Sequence, residues 1–121
     1  MSVSNYQNLI IWQKAMDLTV EIYKVVKLLP KEELFALSSQ MRRSAVSVTS
    51  NIAEGAGRQS AKEFHYFLRI SKGSAAELET QLLICQKIGY LTYEHINRSI
   101  SLLTEISKMI TIMLNPPHFK E

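Results

Sequence analysis

Helix breakers are scarce in this chain. Its 121 residues include only four glycines and three prolines, leaving long segments in which apolar residues recur every three or four positions. Such punctuation predicts four helices. The first, residues 8–29, places Trp12, Ala15, Thr19, Ile22, Tyr23, Val26 and Leu29 on one face, with Gln13, Asp17, Lys24 and Lys27 opposite. Pro30 stops it, because proline disfavours the helical conformation in the residue before it. The second, residues 37–54, turns Leu37, Met41, Ser44, Ala45, Val48 and Ile52 inward. Its many small residues let neighbouring backbones approach, which predicts packing on more than one side. The glycine-rich 55–57 stretch is expected to end it through conformational freedom.

Ser60 to Glu63 reads as a capping box opening a third helix, residues 61–88. Phe64, Phe67, Leu68, Ser71, Ala75, Leu78, Leu82 and Cys85 face inward, and Gly89 closes the helix. Thr92 caps a fourth, residues 93–114, with Ile96, Ile100, Leu103, Ile106, Ile110 and Leu114 inward and Asn115-Pro116-Pro117 as its stop. Four helices of similar length with short connections predict one all-α domain, an antiparallel up-down-up-down four-helix bundle. No alternating strand pattern and no internal repeat competes with that reading.

An apolar fraction of 46% with 21% charged residues suits a globular chain. The net charge of +3 permits contact with a polyanion without requiring it. Cys85 is the lone cysteine, so no internal disulfide is expected, and no basic start leads into an apolar secretory segment. Cytoplasmic residence is the expectation. The apolar runs fall well short of the ~20 residues that span a bilayer, so no membrane partner is expected.

Nothing in the sequence assembles a catalytic centre. His65, His95 and His118 are far apart and lack the companions that metal motifs require, so neither metal nor cofactor is expected. Cys85 lies on the apolar face of its helix and reads as a small buried hydrophobe. The segment Gly55-Ala56-Gly57-Arg58 lacks the preceding strand and the Lys-Ser/Thr ending of a phosphate loop. Glu54, Glu63, Glu77 and Glu79 are acid-base candidates by type, but helices carry such residues for caps and ion pairs.

The sharpest polar signal is a strip of Gln40, Arg43, Ser47, Asn51 and Glu54 on one face of the second helix. It reads either as a solvated face or as structural pairing. In the second case Glu54 pairs with Arg58 or Arg43, and Asn51 holds the 55–57 turn. Apolar residues also remain beside the core stripe: Ile11, Leu18 and Val25 on the first helix, and Leu102, Met109 and Ile112 on the fourth. They predict either a homo-oligomer interface or a wider core stripe.

Two stretches carry a resemblance, Leu9-Ile10-Ile11-Trp12-Gln13-Lys14-Ala15 and the run from Gln40 through Arg43, Ser47, Asn51 and Glu54 to Gly55. With Gly57-Arg58, Glu63-Phe64, Phe67-Leu68, Gly73-Ser74, Glu77 to Gln81 and Gly89-Tyr90-Leu91, the chain resembles the bacterial four-helix bundle proteins encoded in 23S ribosomal RNA intervening sequences. The resemblance implies a ring of five copies and kinship with the accessory protein of diversity-generating retroelements, which engages a reverse transcriptase and nucleic acid. Arg43, Ser47, Asn51, Glu54, Gly55, Gly57 and Arg58 carry over as a signature of fold and assembly, none of them catalytic. Where the family often has proline, this chain has Thr49, which keeps its backbone amide and implies a straighter helix.

The resulting expectation is a non-enzymatic, oligomeric, RNA-associated module. Arg42, Arg43, Arg58, Lys62, Arg69 and Lys72 are the candidates for phosphate contact, expected around the junction of helices two and three. The bland alternative makes them ion-pair partners of Glu54, Glu63 and Glu77. The competing function is a protein-protein scaffold, for example for a reverse transcriptase, with incidental nucleic-acid contact.

Overall fold

The structure, a computed structural model, describes residues 5–115. Four helices account for most of it: α1 (Ile10–Val25), α2 (Leu37–Ala56), α3 (Ala61–Lys87) and α4 (Tyr93–Leu114). Single 3-10 turns at Tyr6–Asn8, Val26–Leu28 and Lys31–Glu33 fill the approaches. Among the described residues there is no strand. Pro116, Pro117 and His118 lie outside them.

The helices pack in sequence order, α1 on α2, α2 on α3, α3 on α4, and α4 back on α1. Side-chain pairs give the direction of each contact. Thr49 of α2 reaches the Ala15 carbonyl while Thr19 reaches the Ala45 carbonyl, so α1 and α2 run oppositely. Ser47 meets Ser74, and Gly55 lies against Phe64 and Phe67, which sets α3 antiparallel to α2. Lys14–Glu105 and Arg98–Glu21 do the same for α1 and α4.

Capping chemistry explains the boundaries. The Ser60 hydroxyl accepts the Glu63 amide at 3.1 Å, and it donates to the Glu63 carboxylate at 3.3 Å, where the expected box would have used the Ser60 amide. At α4 the box is complete. Thr92 Oγ1 accepts the His95 amide, and His95 Nδ1 accepts the Thr92 amide at 3.0 Å. The α2 start has no side-chain N-cap at Ala36, but Glu33 Oε1 accepts the Leu37 amide at 3.3 Å. Gly89 closes α3 in the left-handed region, φ 89°, which disfavours a side chain.

The glycines at 55 and 57 act differently from the expectation. Gly55 is inside α2, and Gly57 has an ordinary φ of −84°. What Gly55 provides is proximity. A Cβ there would sit 2.8 Å from Phe67 Cβ and 3.0 Å from Phe64 Cδ1, so α3 packs where a side chain would otherwise be.

The core runs the length of the bundle and includes Met41, Ile52, Leu68, Leu78, Leu82, Leu103, Ile106 and Ile110. Each such side chain contributes roughly 1.5–3 kcal/mol of burial. On α1 the inward face differs from the expected one. Ile11, Leu18 and Val25 are buried with Ala15 and Ile22, while Tyr23 is exposed. Leu102 is likewise buried on α4. These four therefore belong to this chain's own core, and the wider stripe is the correct reading of them. Met109 packs half-buried against that core, and only Ile112 of the six is exposed.

Candidate nucleic-acid interface

The α2–α3 connection is built around Arg58. Its guanidinium donates to Glu54 Oε2 at 2.6 Å, one helical turn back. It also lies 4.8 Å from the centre of the Phe67 ring, a cation–π contact. Phe67 in turn meets Tyr66 edge-on at 5.1 Å. Arg58, Lys62, Glu63, Tyr66 and Phe67 together line an open hollow of about 500 Å³. Tyr66 is 58% exposed there. Sequence reasoning missed Tyr66 and Phe67 as functional residues; the signal available was the four-residue step from Lys62 to Tyr66, which puts a cation beside an aromatic face.

The six predicted phosphate-contacting residues do not form one cluster. Arg58 and Lys62 share the hollow, and Arg69 follows Lys62 two turns along α3. Arg42 and Arg43 sit sixteen and fifteen residues before Arg58 on a path through α2, roughly 20 Å away along the axis. Lys72 turns toward α4, where its ammonium donates to Thr111 Oγ1 at 2.9 Å. The side chains of Arg42, Arg43, Lys62 and Arg69 have no ion-pair or hydrogen-bond partner among the described residues.

Of the polar strip, Glu54 takes Arg58 rather than Arg43. Asn51 does not hold the 55–57 turn. Its amide donates back to the Ser47 carbonyl at 2.8 Å and to the Ser47 hydroxyl at 3.0 Å, and that hydroxyl meets Ser74 on α3 at 2.7 Å. Asn51, Ser47 and Ser74 therefore join the two helices through polar contacts.

Elsewhere, Cys85 is fully buried with its sulfur 3.8 Å from that of Met41. Burial, with Glu33 nearby, pushes its thiol up to about 11. The Tyr90 hydroxyl donates to Glu33 Oε2 at 2.9 Å, and this hydrogen bond raises its pKa. The same bond ties the α1–α2 connection to the α3–α4 connection. That end of the bundle exposes Leu34, Ile84, Ile88, Tyr93 and Phe35, the last 91% exposed. Among the described residues no three His, Cys, Asp or Glu side chains converge as metal ligands, and no helix is long and apolar enough to cross a membrane.

No curated protein matches the chain. Among solved structures, it is similar to a protein of unknown function from the S23 ribosomal protein family of Bacteroides thetaiotaomicron. The two share 28% identity and a TM-score of 0.81, over 88% of this chain and 99% of that one. A family model described as 23S rRNA-intervening sequence protein matches residues 7–112. That span runs from the turn before α1 into the last turn of α4. The chain belongs to the 23S rRNA-intervening sequence protein family.

Proposed function

We propose that the protein is a non-enzymatic binding module for RNA, working as a homo-oligomer for which the family resemblance suggests five copies. The observation that carries the RNA reading is the hollow at the α2–α3 connection. Lys62 and Arg58 supply positive charge beside the exposed Tyr66 ring, and Arg69 extends the charge along α3. Cations placed beside an aromatic face suit single-stranded RNA, whose phosphates are neutralised while an unstacked base lies on the ring. Arg58 is held in place by Glu54 and Phe67, so its geometry is set before any ligand arrives.

The test is filter binding of structured RNA with single-stranded loops. Affinity should fall steeply between ~50 and ~200 mM salt as phosphate contacts are screened. Tyr66→Ala should weaken binding with little change in that salt slope, because stacking releases no counterions. Lys62→Ala should lower the slope. Equal binding at both salt concentrations, or none at either, overturns the reading.

A second reading is favoured by one observation, the apolar end around Phe35. Such a surface suits a protein contact, either another copy or an enzyme such as a reverse transcriptase. A pull-down from the host whose protein partner survives nuclease treatment supports the scaffold reading over the RNA one.

A further inference from the structure

A second concavity, of about 330 Å³, opens between α2 and α3 away from the junction hollow. Gln40, Arg43, Ser44 and Ser47 form its α2 wall, at steps that keep them on one helix face. Ser74 and Glu77 form the α3 wall. The Ser47 and Ser74 hydroxyls, 2.7 Å apart, join the two walls. Ser44 is only 4% exposed, and its hydroxyl, without a hydrogen-bond partner among the described residues, opens to the solvent of the cleft and is not sealed in the core. Nearby Ser71 shows what a satisfied hydroxyl does here, donating to the Val48 carbonyl at 2.8 Å.

The charges are also unspent. Arg43 and Glu77 line one cleft, but they form no ion pair with each other or with any described residue. A guanidinium on the α2 wall and a carboxylate on the α3 wall of a polar cleft offer a donor fork on one side and an acceptor pair on the other. The matching ligand presents two acceptors and two donors on separate edges.

We infer that this cleft seats a guanine base of single-stranded RNA. Guanine places N1–H and N2–H side by side, a donor pair for the Glu77 carboxylate. Its O6 and N7 are acceptors for the Arg43 guanidinium, the commonest base-specific pairing of arginine. The Ser44 hydroxyl and the Gln40 amide are left for the remaining polar atoms of the nucleotide. Adenine would turn the N1 lone pair toward the carboxylate, so the site discriminates by repulsion as well as attraction. Because the Watson–Crick edge is used, the base must come from an unpaired segment. The inference rests on the RNA reading above but names a separate site, a base and the residues that select it.

The test compares one guanosine-containing single-stranded oligonucleotide with versions carrying adenosine or inosine at that position, at constant salt. The native protein should prefer guanosine to adenosine by about tenfold or more, since a bidentate base contact discriminates by ~1–3 kcal/mol. Inosine, which lacks the N2 amine, should fall between them. Glu77→Gln, at an exposed position, should remove the preference while leaving the salt slope unchanged, with helical content checked by circular dichroism. Equal affinity of the native protein for guanosine and adenosine overturns the inference, as does a preference that persists in Glu77→Gln. RNA binding without base preference overturns this site alone, whereas no RNA binding overturns both readings. GMP bound as tightly as the oligonucleotide overturns the assignment to RNA and identifies the free nucleotide as the ligand.

Discussion

The hydroxyls of Thr19 and Thr49 lie 2.8 Å apart between α1 and α2, and each also reaches both the Ala15 and the Ala45 carbonyl. Each hydroxyl has one proton to donate, so one threonine donates to the other while the second donates to a carbonyl, with Ala15 and Ala45 both within reach as acceptors. Thr49→Val keeps the shape and removes one hydroxyl, and it should destabilise the fold by about 1 kcal/mol. Thr19→Val should do the same. The double variant removes their shared bond only once, so it should fall short of the sum by ~0.5 kcal/mol or more in urea unfolding. Strict additivity would show that the pair is not coupled.

Gly55 and Gly73 should respond to alanine in opposite directions. Both are helical, and alanine is intrinsically favoured over glycine there by about 1 kcal/mol. At Gly73 a Cβ meets nothing within 4 Å, so Gly73→Ala should raise stability by about that amount. At Gly55 the new atom meets the Cβ of Phe67, which moves only with its backbone. Overpacking of this kind costs ~1–3 kcal/mol, so Gly55→Ala should be net destabilising. Thermal melts of the two variants measured together decide the point.

Alkaline pH should weaken the fold through Cys85 and Tyr90. Both are neutral when protonated, and folding raises both pKa values, by burial at Cys85 and by the Glu33 hydrogen bond at Tyr90. Their contribution is therefore complete below the unfolded values of 9.0 and 10.0 and is lost as pH rises through the folded ones, about 11 for Cys85. Stability should be level from pH 7 to 9 and decline above it. At pH 8 the native thiol should resist a disulfide reagent that reacts promptly in denaturant. One tyrosine should titrate later than the rest by ultraviolet absorbance, and Tyr90→Phe should remove that late component.

Asn51 should matter more to stability than Glu54, although the sequence places both on one polar strip. Asn51→Ala removes part-buried bonds to Ser47 and should cost about 1 kcal/mol. Glu54→Gln breaks an exposed pair one helical turn apart, worth less than about 0.5 kcal/mol. Denaturant midpoints in which Glu54→Gln is the more damaging would mean that its pairing with Arg58 holds more of the junction than the exposed geometry indicates.

The starts of α3 and α4 and the end of α3 were legible because local chemistry sets them, Ser60 and Thr92 at N-termini and Gly89 at a C-terminus. By contrast, α1 gives way to a 3-10 turn after Val25, short of the expected stop at Pro30, and α2 runs on to Ala56. The inward face of α3 was legible too: of its expected inward residues all but the half-buried Phe67 are buried, although Gln81 joins them unexpectedly and Tyr66, Ile70, Leu83 and Ile84 lie outside that stripe. On α1 it was not. Ile10, Ile11, Trp12, Met16, Leu18, Val20, Ile22 and Tyr23 nearly encircle the helix, so periodicity admits two faces and only packing on α2 and α4 selects one. The candidate site was half legible. Arg58 and Lys62 are close in sequence as well as in space, but spacing along a chain cannot show that α2 carries Arg43 roughly 20 Å from them. Nor can it show that the antiparallel register brings Glu77 to the same cleft as Arg43.

The packing of α1 on α4 also bears on the order in which the bundle assembles. Three of its four helix contacts join sequence neighbours and close short loops, whereas this one brings together residues 77 (Glu21 and Arg98) and 91 (Lys14 and Glu105) positions apart and carries the largest closure entropy. On that ground it is expected to form last and to part first. Two surface ion pairs latch it from outside, Lys14–Glu105 at 3.3 Å and Arg98–Glu21 at 3.6 Å, and salt loosens such latches. A chain opened there keeps α2 and α3 together and presents the inner faces of α1 and α4. Exchange of either helix with a second copy would rebuild the same core across two molecules, a route to assembly that needs no surface beyond the one already buried.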